Sequence, residues 1–388
     1  MAQGSITKRL LDDGSVRYDV RVNLGPDPIT HKRRQGKKTF TTKRAAQAGL
    51  TAWLASIDNG TAVERNRQTV AQMMEYWLQT YARHHCSAKT LDDYERTIRV
   101  HIVPALGSIP VQKLTADAVQ KFYSDKLAAG CGPRTVELCH LRLKQALKQA
   151  VHLGLVPRNV ADLVTAPRVP RKWMLTWDEE QARAFLSVAT QSGRGPIWLV
   201  ALATGMRRGE LLGLRWQDVD FERGILSVRQ TVGALRGKPD VKPPKTRSSI
   251  RDVPVPAEVM AALREHRRRQ NEQRLALGAV WEDHDLVFAA ANGRPIYPDN
   301  LKRDFERLVH LAGVPRIRIH DQRHTHVTLA IAAGADIGAV SQRIGHSRTS
   351  ITMDVYHHVL PRKHLEVSDK VGAVLFGQRA ADHAADHI

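Results

Sequence analysis

The sequence predicts a multidomain protein: a small N-terminal module of a three-stranded sheet plus a helix, an all-α domain, and a mixed α+β, mainly helical domain. The 388 residues exceed what one hydrophobic core usually organises. Apolar residues alternate in short stretches at first and then recur at helical spacing. At 165–172 the segment TAPRVPRK breaks this periodicity with two prolines, which is typical of a linker.

Residues 1–60 form the predicted N-terminal module. Alternating stretches at 5–10, at 17–24 and from Lys37 onward are separated by turn signals and predict three strands, and KRAAQAGLTAWLASI predicts a helix that covers one sheet face. Basic residues concentrate in HKRRQGKK, where a small sheet can lie in a DNA major groove; the alternative is a solvated charged loop. The candidate DNA contacts are Lys32, Arg33, Arg34, Lys37 and Lys38.

Residues 65–168 form the predicted all-α domain. Four amphipathic stretches, from TVAQMMEYWLQTYA to PRTVELCHLRLKQALKQAVHLGLV, predict four or five helices, and most of their aromatic and leucine residues belong to a core. Residues 173–388 form the third domain. It mixes helices with a strand pair, ILSVRQTV and SIRDVPVP, joined by a loop that contains GKPDVKPPKTR.

Composition favours nucleic acid as the partner. Lys and Arg number 59 against 39 Asp and Glu, and the formal charge of +20 attracts polyanions. No apolar run reaches membrane-spanning length, and MAQGSITKRLLDDG has no apolar stretch behind its basic residues, so we expect a cytoplasmic protein with no membrane partner. Cys86, Cys131 and Cys139 show no paired spacing and the 18 histidines no tight ligand cluster, so we expect reduced thiols and no metal.

A first cluster of candidate residues lies in IWLVALATGMRRGELLGLRW. The pattern predicts a buried helix, a Thr-Gly turn and a second helix that begins at Arg207 and Arg208. A cation at a helix start opposes the helix dipole, so such an arginine usually holds an anion. Glu210, one turn along, can orient Arg207. A plain surface salt bridge is the alternative.

Two further clusters follow. In HDQRHT, His320 and Arg323 share one helix face, and the guanidinium disfavours protonation of the imidazole, which keeps a base available. In AVSQRIGHSRTSITMDVYHHVL, a helix ends at Ile344 and Tyr356 follows His346 by ten residues. A phenol titrates near ~10 and needs a base and a cationic pocket to attack phosphorus. Alone, HxxR is a weak signal, and the alternative for a single tyrosine is an ordinary surface or core residue. The other tyrosines weighed as nucleophiles are Tyr123, in a helical core pattern, and Tyr297, in a proline-flanked turn.

Together, TGMRRGELLGLRW, HDQRHT and IGHSRTSITMDVYHH resemble the tyrosine recombinase family, in that order and with a lysine-bearing hairpin between the first two. The resemblance is strong over 173–360. Residues 69–164 resemble the family's core-binding domain in pattern only, and the first sixty resemble the arm-binding domain of phage and integrative-element integrases. Gln322 departs from the family, which more often has an apolar residue there.

The resemblance implies a catalytic set. Arg207 and Arg323 would clamp the non-bridging oxygens of the scissile phosphate, and Tyr356 would attack it. Lys245 would be the general acid, with Lys238 and Lys242 as competitors for that role. The remaining roles are proton transfer by His320, a phosphate hydrogen bond from His346, and support from Glu210.

The resemblance also implies a function. The protein would be a site-specific DNA recombinase, an integrase that cleaves and rejoins strands through a 3′-phosphotyrosyl intermediate to integrate or excise a mobile element such as a prophage, without a cofactor. Its partners would be double-stranded attachment sites, bound as a homotetramer at the nucleoid of the bacterial cytoplasm. The resemblance leaves room for a host DNA-bending protein and an excisionase. The alternatives are a type IB topoisomerase-like relaxing enzyme and a non-catalytic DNA-binding regulator.

Beyond Tyr356 the tail carries apolar residues too far from the active site to be catalytic. We expect this tail to dock on a neighbouring protomer; packing on its own domain is the alternative. The apolar residues are Leu365, Val371, Val374, Leu375 and Phe376.

Overall fold

The computed structural model describes residues 4–26, 33–58, 63, 66–170, 174–244, 249–345, 371–372 and 374–375. The chain divides into two compact units, Met1–Arg171 and Lys172–Ile388. Helices predominate in both units, and small antiparallel sheets accompany them.

The first unit begins with the predicted three-stranded sheet and helix. The elements are β1 (Gly4–Leu10), β2 (Val16–Pro26), β3 (Arg33–Phe40) and α1 (Lys43–Asp58). The strands are antiparallel in the order β1-β2-β3. Because side chains alternate along a strand, one sheet face presents Val20 and Val22, which are buried with Ala46 and Leu50 of α1.

The rest of the first unit is all-α, as predicted. Its helices are α2 (Val70–Trp77), α3 (Arg83–His85), α4 (Ala88–Thr97), α5 (Val103–Leu106), α6 (Ala116–Ala128) and α7 (Pro133–His152). A π-helical turn at Leu78–Ala82 joins α2 to α3, and another at Ile98–Ile102 joins α4 to α5. The six segments therefore form four continuous helices. Thr69 starts the first of them through reciprocal hydrogen bonds with Gln72.

Tyr123 belongs to the core of this helical part, as predicted. Its hydroxyl forms a 2.8 Å hydrogen bond with Nδ1 of His140, and both side chains are buried. Burial raises the pKa of the Tyr123 phenol above its usual value. A buried phenol that resists ionisation is a poor nucleophile, which removes Tyr123 as a rival to Tyr356.

The second unit is mainly helical with two small sheets. Its helices are α8 (Glu179–Ala189), α9 (Gly195–Thr204), α10 (Arg208–Gly213), α11 (Ala257–Leu277), α12 (Pro298–Leu311), α13 (Asp321–Ala332) and α14 (Ile337–Ile344). Its strands are β4 (Val219–Asp220), β5 (Ile225–Val228), β6 (Thr231–Leu235), β7 (Lys238–Lys242) and β8 (Arg251–Pro254). Aromatic rings fill the centre: Trp198 of the buried helix α9 lies 6.1 Å from Phe185 and 5.4 Å from Phe305, between ring centroids.

The predicted strand pair is confirmed only in part. β5 pairs with β8, with Leu226 opposite Val253, but the end of the stretch ILSVRQTV belongs to β6, and the predicted loop contains β7. The β6–β7 hairpin turns at Arg236 and Gly237, whose φ angles are 49° and 76°. Such turns usually carry Asn-Gly or Asp-Gly, so the Arg236-Gly237 pair did not indicate a hairpin turn in the sequence.

Candidate active site

The turn between α9 and α10 brings Arg207 to the candidate site. Gly205 ends α9 in the left-handed region with φ 63°, and a Cβ there would lie 2.8 Å from the Cδ2 atom of His326. Glycine alone meets both conditions without strain. Arg207 follows as the residue that caps the N-terminus of α10, so the predicted helix start is confirmed.

Glu210 holds Arg207 as its spacing predicted. The carboxylate accepts hydrogen bonds from Nη1 of Arg207 at 2.8 Å and from its backbone N–H at 2.9 Å, and Nη2 of Arg207 donates to the carbonyl of Gly345 at 3.1 Å. The Glu210 side chain is 1% exposed, whereas that of Arg207 is 36% exposed. The Arg207 guanidinium is therefore fixed on one side and open to a ligand on the other.

Arg323, the second predicted arginine, is buried in the same cluster. It donates to the carbonyl of Gly205 at 2.7 Å and to that of Ile344. Burial, and after it the charge of Arg207, lower the pKa of Arg323 to about 9, so it is still cationic at neutral pH. A cation destabilised by burial and by a like charge is relieved when an anion binds, so the arrangement of these two arginines is suited to an oxyanion.

Arg251 of β8 is a member of the cluster that sequence reasoning missed. Its guanidinium donates to both oxygens of Glu210, at 2.8 and 3.3 Å, and its Nε donates to the carbonyl of Arg343 at 2.7 Å. Burial alone would raise the pKa of Glu210, but the hydrogen bonds and charge of Arg251, with those of Arg207, lower it overall. Glu210 is therefore a buried, ionised carboxylate.

The C-terminus of α14 is the point where the cluster converges. Arg251, Arg323 and Arg207 donate to three successive carbonyls there, those of residues 343, 344 and 345. These carbonyls lack partners within a helix and carry its partial negative charge, so guanidinium groups satisfy them well. The helix end predicted at Ile344 is confirmed, with Gly345 in the left-handed conformation.

His320 lies beside the cluster, directly before α13, while Arg323 lies in the first turn of that helix. Desolvation, and then the charge of Arg323, lower the pKa of His320, although the residue is exposed. The direction of this shift is the one expected from the neighbouring guanidinium, and the role of His320 as a base stays a prediction. The ring of His324 meets it edge to face, with centroids 5.5 Å apart.

Two buried histidines of α13 make stability depend on pH. Burial lowers the pKa values of His324 and His326 to about 4. Both titrate near ~6.5 when unfolded, so the unfolded state binds more protons as the pH falls from ~6.5 towards ~4, and stability decreases over this window. Each histidine should remove up to about 1.4 kcal/mol of unfolding free energy per pH unit.

Urea denaturation at a series of pH values measures this slope. His326→Gln should make it shallower than in the wild type, because one titrating group is lost while the hydrogen bond to the carbonyl of Leu202 can be kept. Identical slopes in the two proteins would rule out His326 as a source of the acid sensitivity.

The β6–β7 hairpin packs directly on α10. Added Cβ atoms at Gly209 and Gly213 would lie 3.0 and 2.9 Å from carbonyl oxygens of Val232 and Gln230, so the two glycines allow the backbone at β6 to lie against the helix. Of the competing lysines, Lys242 is paired with Asp240 at 2.9 Å and Lys238 is exposed at the start of β7. Lys245, His346 and Tyr356 lie outside the described residues.

Two of the candidate DNA contacts, Lys37 and Lys38, lie on opposite faces of the N-terminal sheet. Lys37 lies on the face away from α1, opposite Arg21, with its Nζ 2.7 Å from the carboxylate of Asp19. Lys38 lies on the α1 side, where its ammonium is 4.4 Å from the ring centroid of Trp53. Lys32 and the side chains of Arg33 and Arg34 lie outside the described residues.

The structure also places Gln322 and Tyr297, two residues singled out in the sequence. Gln322 is buried, and its side-chain amide nitrogen finds no hydrogen-bond partner among the described residues. Tyr297, the other tyrosine weighed as a nucleophile, is exposed at the start of α12.

In the ranges that the structure covers, no group of three or more His, Cys, Asp or Glu side chains is arranged to hold a metal ion. No helix there combines the length and apolar character needed to cross a membrane.

Two family models match the chain. The model of the phage integrase family covers residues 176–363, and that of the phage integrase N-terminal SAM-like domain covers residues 69–127. A XerC-like tyrosine recombinase of Caldanaerobacter subterraneus subsp. tengcongensis is 30% identical over 373 residues, which span 90% of this chain and 94% of that protein.

Solved structures share the fold. The Tn1549 transposon integrase in complex with transposon right end DNA has a TM-score of 0.67 at 22% identity, covering 79% of this chain and 100% of that chain. A lambda integrase tetramer bound to a Holliday junction has a TM-score of 0.55 at 16% identity, covering 90% of this chain and 94% of that chain.

Fold, motifs and matches together define a site-specific recombinase of the tyrosine class. The chain belongs to the phage integrase family, with an N-terminal SAM-like domain and a mainly helical catalytic domain.

Proposed function

We propose that this recombinase is an integrase that joins an element-borne attachment site to a chromosomal one, and that Arg207 and Arg323 bind the phosphate to be cleaved. The convergence of the two arginines on the C-terminus of α14 carries the proposal. With Arg251, the described part of this cluster holds three guanidinium groups against one carboxylate, that of Glu210. Fixed excess positive charge is what a negatively charged phosphorane transition state requires.

The proposed reaction needs neither metal nor nucleotide. Tyr356 attacks phosphorus while His320 assists transfer of its proton, the bond between phosphorus and the 5′ oxygen breaks, and Lys245 protonates the departing oxygen. His346 hydrogen bonds to the phosphate. The phosphotyrosyl bond keeps the energy of the broken link, so a second 5′ hydroxyl can attack it and reseal the strand. The support for Lys245, His346 and Tyr356 is the family resemblance of their motifs.

A nicked suicide duplex that carries the attachment site tests the proposal. After cleavage the short fragment diffuses away, so an active recombinase accumulates as a covalent adduct on a denaturing gel. Digestion and mass spectrometry should locate the nucleotide on Tyr356; a different residue would overturn the assignment. Relaxation of plasmids without any attachment site would point to topoisomerase-like activity, and binding without an adduct to a regulator.

We further propose a division of labour along the chain. Residues 1–60 bind arm-type DNA, residues 65–168 bind core-type DNA, and residues 173–388 carry catalysis. A protomer with two DNA-binding domains gains affinity by linkage, which suits an enzyme that bridges separate sites. The lambda integrase tetramer on a Holliday junction supports a homotetramer on double-stranded DNA. A host DNA-bending protein, an excisionase and a place at the nucleoid of the bacterial cytoplasm remain expectations.

Lys37→Ala should weaken binding to arm-type DNA, whereas Lys38→Ala should not. Lys37 shares the face away from α1 with Arg21, and Lys38 lies on the opposite face against Trp53. If Lys37 contacts a phosphate, its loss should reduce the slope of log affinity against log salt by about 1. Fluorescence anisotropy over a salt series measures this, with Lys38→Ala as the matched control; equal losses would refute the proposed face.

The C-terminal tail is proposed to dock on a neighbouring protomer. Val371, Val374 and Leu375 are exposed in the single chain, as expected of an apolar segment whose partner surface belongs to another molecule. Leu365 and Phe376 lie outside the described residues.

A further inference from the structure

Arg251 and Arg207 share one buried carboxylate but differ in access to a ligand. Each oxygen of Glu210 accepts one hydrogen bond from each arginine residue, counting the backbone N–H of Arg207. The Arg251 side chain is only 8% exposed. Its Nε donates to the carbonyl of Arg343, and its Nη1 donates to the carbonyl of Ser249 as well as to Glu210. Of this pair, only Arg207 presents an open side on which a phosphate can bind.

We propose that Arg251 is a positioning residue for DNA cleavage, which acts through Glu210 on Arg207; this role rests on the proposed function of Arg207 in binding the scissile phosphate. Arg251 takes up part of the charge of Glu210. The Arg207 side chain then makes a single hydrogen bond to the carboxylate, through Nη1. Its other donors are left for the carbonyl of Gly345 and for the phosphate.

The physical reason lies in the burial of Glu210. A buried carboxylate that loses one of two cationic partners acts with its full charge on the other. It would draw the Arg207 guanidinium into a two-point pair, the geometry that arginine and carboxylate prefer, and away from the phosphate. The loss should appear in the rate of cleavage and not in the affinity for DNA, because the clamp matters most when charge develops on phosphorus.

Arg251 also helps to fix the position of β8 relative to α14, and therefore the position of its own pairing with Glu210. Arg251 of β8 donates to the carbonyl of Arg343, and Arg343 donates to the carbonyls of Pro254 in β8 and Ala203 in α9. These reciprocal hydrogen bonds hold β8 against the C-terminus of α14. Lysine at position 251 would keep the positive charge but lacks the planar, multi-point donor geometry, so it should restore only part of the effect.

A double-mutant cycle on single-turnover cleavage of the nicked suicide duplex tests the inference. Arg251→Met should slow adduct formation about tenfold or more in the wild-type background, but less than about twofold when Arg207→Ala is already present, because residues that act through each other are not additive. Arg251→Lys should recover part of the rate. Arg316→Met, at an arginine whose side chain is 81% exposed, is the matched control and should cleave at the wild-type rate.

Equal fold-losses in both backgrounds would overturn the inference, as would a loss confined to DNA affinity. If Arg251→Met does not fold, Arg251→Gln and Arg251→Lys carry the same cycle, with unfolding midpoints measured in parallel. Absence of any adduct with the wild-type protein would count against the proposed function itself, so the two failures are distinguishable.

Discussion

Tyr356→Phe should abolish the covalent protein–DNA adduct while leaving the affinity for the attachment site unchanged. Phenylalanine keeps the ring but lacks the oxygen that attacks phosphorus, so no intermediate can form. The rate of cleavage should fall at least about 10⁴-fold, in the range seen when enzymes lose a covalent nucleophile. The nicked suicide duplex on a denaturing gel measures the adduct, and gel shift measures binding.

Two other tyrosines provide matched controls for this result. Tyr297→Phe removes an exposed hydroxyl, and Tyr123→Phe removes a buried one that hydrogen bonds to His140. The first should behave as wild type, and the second should lower the unfolding free energy by about 1 kcal/mol without preventing the adduct. An adduct that persists in Tyr356→Phe, or vanishes in Tyr297→Phe, would show that the nucleophile is misassigned.

Arg323→Lys should slow cleavage about 10²- to 10³-fold, the usual effect of removing a preorganised donor from a charged transition state. The guanidinium of Arg323 reaches the carbonyls of Gly205 and Ile344 at once, and a lysine ammonium cannot span both while facing a phosphate. One buried carbonyl then loses its partner, which should destabilise the fold by about 1–3 kcal/mol.

Single-turnover cleavage and chemical denaturation separate the two effects of Arg323→Lys. Arg316→Lys, at an exposed position, should change neither quantity. Wild-type cleavage by a destabilised Arg323→Lys protein would reduce Arg323 to a purely structural residue, and the proposed phosphate clamp would then have to be abandoned.

The candidate site was predictable where its chemistry is local in the sequence. Arg207 and Glu210 lie within one helical turn, so spacing alone predicted the hydrogen bonds that the structure contains. The same holds for His320 beside Arg323, and for the helix that ends at Ile344. Helical periodicity likewise predicted the all-α domain, because each helix buries one continuous face.

What escaped prediction depends on contacts between distant segments. Arg251 lies 41 residues after Glu210, and no periodicity links them. In SIRDVPVP it resembles a surface charge on an edge strand, although its side chain is only 8% exposed. Lys38 looked equivalent to Lys37 until strand alternation and the ring of Trp53 placed it on the other face. The β6–β7 hairpin was not predicted from the sequence, because Arg236 adopts a positive φ that arginine seldom takes.

The two π-helical turns of the SAM-like domain each hold one residue more than an α-helical path would. A π turn is an α-helix that has gained one residue and absorbed it as a local bulge. Both turns, Leu78–Ala82 and Ile98–Ile102, lie inside the family match at 69–127. Relatives with uninterrupted helices should therefore align with a single-residue gap at each turn. Each bulge accommodates one extra residue without rotating the helix beyond it out of its core.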